Sequence, residues 1–320
     1  MKTYPLDIVM AIAGMPFDAE TIASGKSLGG SETAGIQLAE ELARRGNKVT
    51  IFCNTPKPCE GIKNLYFRPL GVVGNFPKGY FDYVRSTPHD VLIVQRMPMF
   101  FQFGTQSKVN LLWTHDLATK TGPSYFANVA WNIDRILVLS QFHKEQQRKV
   151  HAGPEELYHL TRNGIDLSLI DAVPDQERDR FRLTYTSRPE RGLDVLLTRL
   201  FPEILKREPR ARLHISRYED VATLPLYEQL KPIIAQFGDR VVDMGNLGKA
   251  ALYENYKKSR CMVYPSSFEE ISMITSQEVA ACGAVLVGPW RGAIPETCGD
   301  TAVLIRDEGI LGTRSDAVDP

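Results

Sequence analysis

CMVYPSSFEEISMITSQEVAACGAVLVG, residues 261–288, decides the fold class because it joins two strand-like runs through a loop and a helix. The apolar runs at its ends are typical of buried strands, and Gly283 is placed to end the helix between them. A helix that connects two buried strands predicts a parallel sheet. Glu270 and Glu278 lie on either side of an uncharged part of this stretch, so it also raises the question of a ligand site.

Alternating strand and helix signals continue along almost the whole chain. Such alternation, with apolar strands, predicts parallel sheets covered by helices on both faces. Strands are predicted at DIVMAIA, KVTIFC, DVLIVQ, KVNLLW, DRILVLS, RFRLTYTS, ARLHIS, RVVDMG, CMVYPS, AVLVG and TAVLI. Helices are predicted at SETAGIQLAEELARRG with Ser31 as its N-cap, and at QFHKEQQRKV, GLDVLLTRLFPEILKRE, KAALYENYKKS and from about Ser272.

A charged, proline-containing segment divides this pattern in two. LTRNGIDLSLIDAVPDQERDR, residues 160–180, contains an Asn-Gly turn and is typical of a linker. We therefore predict an α/β protein with an N-terminal domain over residues 1–165 and a C-terminal domain over residues 166–320. Each is expected to be a Rossmann-like, doubly wound parallel-sheet domain, and the two are expected to face each other across a cleft.

Composition excludes several classes of function. The chain has 38 basic and 38 acidic residues, so it lacks the basic excess of a nucleic-acid-binding protein. Its five cysteines are scattered without a C-x-x-C pair, which is typical of a reduced, cytoplasmic protein without a structural zinc site. No run approaches the ~20 apolar residues of a membrane-spanning helix. Peripheral membrane contact is left open.

Two nucleotide-binding motifs are incomplete or absent. Gly25-Lys26-Ser27 is the tail of a Walker A loop, but that loop needs a glycine where Glu20 stands. No strand is followed by G-x-G-x-x-G, which argues against a dinucleotide-dependent oxidoreductase.

Two other segments have the chemistry of an anion site. Gly29 and Gly30 precede a long helix, where bare backbone and free amides favour an anion. An ordinary N-cap preceded by a flexible loop explains these two glycines equally well. Arg188 and Arg191 follow a predicted strand, where guanidinium groups suit a diphosphate. A solvated loop with surface ion pairs is the alternative there.

The segment between Glu270 and Glu278 also suits a phosphorylated ligand. Free amides at Ser272, Met273 and Ile274, near the helix start, can hold phosphate. Eight helical residues span ~12 Å, about the reach of a nucleoside diphosphate with its sugar. The two carboxylates are then placed to accept hydrogen bonds from hydroxyl groups at its two ends. A capping carboxylate and an exposed helical glutamate remain the alternative.

The order of these pieces resembles one enzyme family. GGSETAGIQLAEELARRGNKVTIF, RNGID, SRPERGLDVLL and FEEISMITSQEVAACGAVLVGPWRGAIPETCGD look like the GT-B retaining glycosyltransferases of family 4, which carry an E-x7-E signature. The resemblance extends from Leu6 to Ile305 and is most specific over residues 268–299.

The resemblance implies roles for individual residues. Glu278 resembles the glutamate that binds the ribose of the donor nucleotide, and Glu270 resembles the one that contacts a donor-sugar hydroxyl. Arg188 and Arg191 resemble the cationic pair on the diphosphate, which stabilises the leaving group. His115 matches a strand-end histidine that faces the donor sugar.

The family also implies the reaction. Gly29 and Gly30 resemble the loop where donor phosphate and acceptor meet. The expected activity is a retaining, hexosyltransferase-type transfer from a nucleotide-diphosphate sugar to a glycan or glycolipid hydroxyl, with no metal or other cofactor. A sugar-nucleotide epimerase of similar fold and a non-catalytic nucleotide-sugar-binding protein are the alternatives.

Three features depart from the family pattern. Ile271-Ser272-Met273 stands where many relatives carry G-F-G, and Arg191 replaces a lysine. The chain ends at Pro320, before several helices that such enzymes usually carry, so we expect those helices to be lacking.

Overall fold

The computed structural model describes residues 5–25, 28–121, 125–217 and 224–306. Lys26 and Ser27, from the partial Walker A sequence, lie outside these ranges. The chain divides into two compact units, Met1–Gly164 and Ile165–Pro320. Within the described ranges, no helix combines the length and apolar character that crossing a bilayer requires.

The first unit is built on an eight-stranded sheet with strand order β10-β9-β8-β7-β1-β2-β4-β3, and a two-stranded hairpin of β5 and β6 lies apart from it. Its strands are β1 (Asp7–Ile12), β2 (Lys48–Cys53), β3 (Cys59–Glu60), β4 (Leu65–Pro69), β5 (Val72–Val73), β6 (Phe76–Pro77), β7 (His89–Gln95), β8 (Ser107–Trp113), β9 (Arg135–Val138) and β10 (Tyr158–Leu160). Its helices are α1 (Ala19–Ala23), α2 (Gly30–Arg44), α3 (Lys78–Ser86) and α4 (Gln141–His151), with 3-10 turns at Pro98–Phe101, Ala127–Asn132 and Glu155–Leu157.

Strand β1 lies at the centre of this sheet because it is the most completely buried run. Val9, Met10 and Ala11 are fully buried, and β1 pairs in parallel with both β2 and β7. The chain order of the strands changes direction at β1. In open parallel sheets, ligands bind beyond the carboxyl ends of the strands at such a point, here between β1 and β7.

The second unit is built on a six-stranded, wholly parallel sheet with order β13-β12-β11-β14-β15-β16, whose direction changes between β11 and β14. Its strands are β11 (Asp179–Thr186), β12 (Arg212–Ser216), β13 (Val241–Asp243), β14 (Ser259–Val263), β15 (Val285–Pro289) and β16 (Ala302–Ile305). Its helices are α5 (Leu167–Asp171), α6 (Leu193–Val195), α7 (Phe201–Arg207), α8 (Leu224–Gln236), α9 (Lys249–Lys258), α10 (Ile274–Ala281) and α11 (Ile294–Cys298).

The predictions for α2 and for the helix after β11 need correction. Ser31 is not the N-cap of α2, because the helix begins at Gly30 and Gly29 is its cap. The Ser31 hydroxyl instead donates to Glu32 Oε2 at 2.9 Å. The long helix predicted over residues 192–208 is interrupted by a π-helical turn at Leu196–Leu200. Pro202 explains it, since proline has no N–H for the helical ladder and its ring collides with the preceding turn.

Candidate functional site

In the second unit, the loops after β11 and β14 meet where the strand order changes direction. Arg188 and Arg191 lie in the loop after β11, and Glu270 lies in the loop after β14. The two loops contact each other at Gly192. Its φ is +94°, and a Cβ there would stand 2.2 Å from the carbonyl oxygen of Pro265 in the other loop. The bare backbone of Gly192 therefore lets the two loops approach each other.

The carboxylate of Glu270 lies among polar and aromatic partners. The Tyr264 hydroxyl donates to Glu270 Oε1 at 2.5 Å, and Arg191 Nη1 lies 3.7 Å from the same oxygen. The Arg191 guanidinium stacks over the Phe268 ring, 3.2 Å from its centroid. Burial raises the pKa of Tyr264, and the charge of Glu270 raises it further, so this tyrosine is a neutral donor. The structure thus brings together Glu270 and Arg191, which the sequence analysis assigned separately to the sugar and to the diphosphate.

The backbone of Glu270 is also fixed. Its carbonyl oxygen accepts from Ala293 N–H at 2.6 Å. Gly292, with φ of +54°, lies directly against it, because a Cβ there would stand 2.6 Å from the same oxygen. Two elements, the loop after β14 and the loop after β15, therefore set the position of this carboxylate.

Arg188 is anchored differently from Arg191. Its carbonyl oxygen accepts a hydrogen bond from the buried Tyr185 hydroxyl at 2.6 Å. Its side chain, a little over one-third exposed, pairs with Glu190 at 2.7 Å between Nε and Oε1. The buried Tyr185 hydroxyl therefore holds the backbone of this loop at Arg188, while the Arg188 side chain is partly exposed.

Glu278 is buried on α10 and has two partners on α9. Lys249 Nζ lies 2.5 Å from Glu278 Oε1, and the Tyr253 hydroxyl donates to the same oxygen at 2.9 Å. The two partners are four residues apart, so they share one face of α9. Burial raises the pKa of Tyr253 and the adjacent Glu278 raises it further. The sequence analysis did not identify Lys249 or Tyr253.

The start of α10 lies between the two glutamates. Met273 is the N-cap and Ile274 the first helical residue, two positions later than predicted. Among the described residues, the backbone amides of Ser272 and Met273 have no acceptor. These amides and the helix N-terminus are suited to bind an anion.

In the first unit, Glu32 joins two glycine-containing loops. Its Oε1 accepts from Met15 N–H at 3.1 Å, and its side chain is almost wholly buried. A Cβ at Gly14 or at Gly29 would stand only 2.1 or 2.3 Å from a Glu32 carboxylate oxygen. Gly14 and Gly29 therefore have a structural function, since their bare backbone gives this carboxylate room at the start of α2.

His115 follows β8 and packs against its neighbours on the strand ends. Its Nε2 lies 2.9 Å from Gln95 Nε2, and its ring lies 4.6 Å from the Trp113 ring. Burial lowers the pKa of His115 to about 3, and the positive charge of Arg96 adds to the effect. The imidazole is therefore neutral at physiological pH.

An ion pair that the sequence analysis did not identify lies beside His115. Arg96 donates from Nε and Nη2 to the two carboxylate oxygens of Asp116 at 2.8 and 2.7 Å. Arg96 has φ of +65°, a conformation that is rare outside glycine and is concentrated at functional sites. The Asp116 carbonyl accepts from His143 Nε2 at 2.9 Å and from Gln147 Nε2 at 3.0 Å.

Protonation of His143 is predicted to make the free energy of unfolding depend on pH. Its Nδ1 accepts from Leu139 N–H at 3.3 Å, and burial lowers its pKa to about 4. Between pH 6.5 and about 4 the unfolded state binds the extra proton, so the free energy of unfolding falls as pH falls. His143 contributes about 1.4 kcal/mol per pH unit in this window.

Urea denaturation at pH 7 and pH 5 checks this prediction. The difference in stability between the wild type and His143→Gln is expected to narrow by about 2 kcal/mol at the lower pH. His159→Gln, at an exposed position on β10, is the control. A pH slope that is the same with and without His143 would contradict the prediction.

Comparison with known proteins identifies the fold. Residues 180–313 match the family described as glycosyl transferases group 1. No curated protein matches the chain. Sucrose-phosphate synthase from Thermosynechococcus elongatus is similar in structure, with 18% identity and a TM-score of 0.69 over 95% of this chain and 86% of that one.

Two further solved structures are similar over nearly the full length. Anabaena Alr3699/HepE in complex with UDP and glucose has 14% identity and a TM-score of 0.70, over 94% of this chain and 86% of its own. A glycosyltransferase from Rickettsia africae has 14% identity and a TM-score of 0.71, over 95% and 85%. The chain has the GT-B fold, and the predicted fold is confirmed.

Proposed function

We propose that the protein is a glycosyltransferase that moves a sugar from a nucleotide-diphosphate donor to a hydroxyl group. The observation that carries the proposal is the group formed by Glu270, Arg191 and Phe268 beside the amides of Ser272 and Met273, which have no acceptor in the part of the chain that the structure describes. It places a carboxylate, a cation and anion-binding amides at the point of the sheet where ligands bind. The match of residues 180–313 to the group 1 glycosyl transferases supports the same activity.

The proposed roles follow the chemistry of each residue. Glu278, buried but hydrogen-bonded, accepts from the ribose hydroxyls of the donor. Arg188 and Arg191, with the amides at the start of α10, bind the diphosphate and stabilise the negative charge that develops on it. Glu270 accepts from a hydroxyl of the sugar. We assign the acceptor, a glycan or glycolipid hydroxyl, to the first unit, with His115 facing the sugar.

The proposed reaction retains the anomeric configuration and requires no metal. The bond between the anomeric carbon and the phosphate oxygen breaks, and its electron pair stays on the diphosphate. The acceptor oxygen bonds to the same carbon on the same face, and its proton passes to the departing phosphate oxygen. The arginines supply the positive charge for this step.

Donor class and location are also part of the proposal. Because Anabaena Alr3699/HepE was solved with UDP-glucose and with UDP and glucose, a uridine nucleotide is the first donor to test. All five cysteines are free thiols, which supports a reducing, cytoplasmic location.

Nucleotide binding tests the proposal. The protein is screened by thermal shift against UDP, GDP, ADP and TDP and their sugar conjugates, with and without magnesium. A ligand at one hundred times its Kd adds about 2.7 kcal/mol to stability. One nucleotide is expected to raise the Tm equally with and without magnesium, and Glu278→Gln is expected to weaken its binding at least tenfold, because a carboxylate accepts more strongly than an amide.

Three results would contradict parts of this proposal. Stabilisation by no nucleotide would contradict the donor site. Donor turnover without acceptor and without free sugar would indicate an epimerase. Binding without nucleotide release in the presence of any acceptor would indicate a non-catalytic sugar-nucleotide-binding protein.

A further inference from the structure

Gln95 lies at the carboxyl end of β7, within the first unit, and its side chain is 1% exposed. Its amide nitrogen Nε2 donates to the carbonyl oxygen of Ser31 at 2.8 Å and lies 2.9 Å from His115 Nε2. One side-chain amide therefore connects the first turn of α2 with the end of β8. Neither the family resemblance nor the sequence motifs assigned a role to this residue.

The Ser31 carbonyl determines which way the Gln95 amide points. A backbone carbonyl only accepts hydrogen bonds, so the amide atom that faces it must be the NH2 group. The same nitrogen faces His115 Nε2, and its second hydrogen is directed there. His115 Nε2 is consequently an acceptor, which means that the proton of the neutral ring lies on Nδ1.

The surroundings of Gln95 maintain this arrangement. Gly35 of α2 lies against the amide, because a Cβ there would stand 3.2 Å from both Gln95 Nε2 and Oε1 and 2.7 Å from Ile12 Cδ1. The glycine therefore lets α2 approach the strand ends closely enough for the Ser31 bond. Gln95 Oε1 is buried and has no hydrogen-bond partner among the described residues, so the NH2 group alone fixes the amide.

We propose that Gln95 is a positioning residue that fixes His115 as the Nδ1–H tautomer, so that His115 presents an N–H donor to an oxygen of the sugar substrate. The proposal rests on the proposed function for the identity of the substrate. His115 Nδ1 has no hydrogen-bond partner within the described ranges, so its N–H is available to a ligand. A ring that packs against Trp113, with 4.6 Å between the ring centroids, and that is fixed at Nε2 loses little freedom when it donates this bond.

The direct test is to determine by NMR which ring nitrogen of His115 carries the proton. In protein labelled with 15N-histidine, the nitrogen shifts and long-range couplings of the His115 ring distinguish protonated from unprotonated nitrogens. The His115 signal is assigned by its loss in His115→Phe. The wild type without ligand is expected to show Nδ1 protonated and Nε2 unprotonated. The opposite tautomer in the wild type would overturn the proposal without any variant of Gln95.

Two substitutions make the test specific. Gln95→Met keeps the length of the side chain but removes both hydrogen bonds, so His115 is expected to show a mixture of tautomers. Gln95→Glu places an acceptor opposite His115 Nε2 and is expected to shift the proton to that nitrogen. Gln106→Met, at an exposed glutamine, is the control and leaves the His115 signals unchanged. Unchanged tautomers in both Gln95 variants would overturn the proposal.

Kinetics separate this role from general stability. With the donor that the nucleotide screen identifies, Gln95→Met is expected to lower kcat by about 10- to 100-fold, while the Kd of the free nucleotide stays within twofold. A variant with altered tautomers but wild-type kcat would overturn the positioning role. If the wild type binds no nucleotide, the proposed function fails, whereas the NMR measurement still decides the tautomer.

Discussion

Glu270→Gln is expected to lower the rate of sugar transfer by about 1,000-fold while leaving nucleotide binding intact or tighter. The substitution keeps the shape of the side chain and an oxygen for the Tyr264 hydroxyl, so the fold of the loop is preserved. It removes the charge that faces Arg191 at 3.7 Å, which leaves the guanidinium more attractive to a diphosphate. It also replaces the carboxylate proposed to bind the sugar, and losses of 10²–10³ are typical for one preorganised polar group.

Glu269→Gln is the matched control. Glu269 is adjacent in sequence and exposed, so its substitution makes the same chemical change outside the group formed by Glu270 and Arg191. Steady-state kinetics and nucleotide Kd values for the two variants separate catalysis from binding. A Glu270→Gln enzyme that retains transfer within tenfold but loses nucleotide affinity would show that Glu270 acts in donor binding alone.

The sequence predicted the fold well because the strands of a parallel sheet are buried on both faces. Runs such as those that became β1, β2, β7 and β14 each contain consecutive apolar residues, so they stand out without any knowledge of tertiary contacts. Strands β3, β4, β5, β6 and β10 were not predicted. Four of them have only two or three residues, and β4 contains an arginine and ends in a proline, so none of the five stands out as an apolar run.

The site was only partly predictable, because some of its residues are placed by the strand order and others by tertiary packing. Glu270 and Arg191 could be identified because they lie just after strands whose carboxyl ends meet at one edge of the sheet. Lys249 and Tyr253 were missed because their relation to Glu278 depends on the packing of α9 beside α10. Gln95 was missed because it is the last residue of β7 and carries no motif of its own. Its two partners, Ser31 and His115, lie 64 and 20 residues away in sequence.

Gly192→Ala is expected to destabilise the second unit by about 4 kcal/mol or more and to abolish nucleotide binding. At φ of +94°, an alanine costs about 1–2 kcal/mol in backbone strain alone. Its Cβ would also stand 2.2 Å from Pro265 O and 2.7 Å from Pro265 C, and backbone atoms cannot move aside as a flexible side chain can. The loops after β11 and β14 must then separate, which moves Arg191 away from Glu270.

Alanine substitutions at two other glycines are the controls that distinguish backbone strain from the steric clash with Pro265. Gly46 has φ of +93° with no atom within 4 Å of its added Cβ, so Gly46→Ala carries the same backbone strain without the clash. Gly238, in the second unit, has φ of +55° and is equally open. Both alanine variants are expected to lose only about 1–2 kcal/mol in urea denaturation and to bind nucleotide as the wild type does. If Gly192→Ala were no more destabilising than Gly46→Ala, the close approach of Gly192 to Pro265 would not determine the geometry of the site.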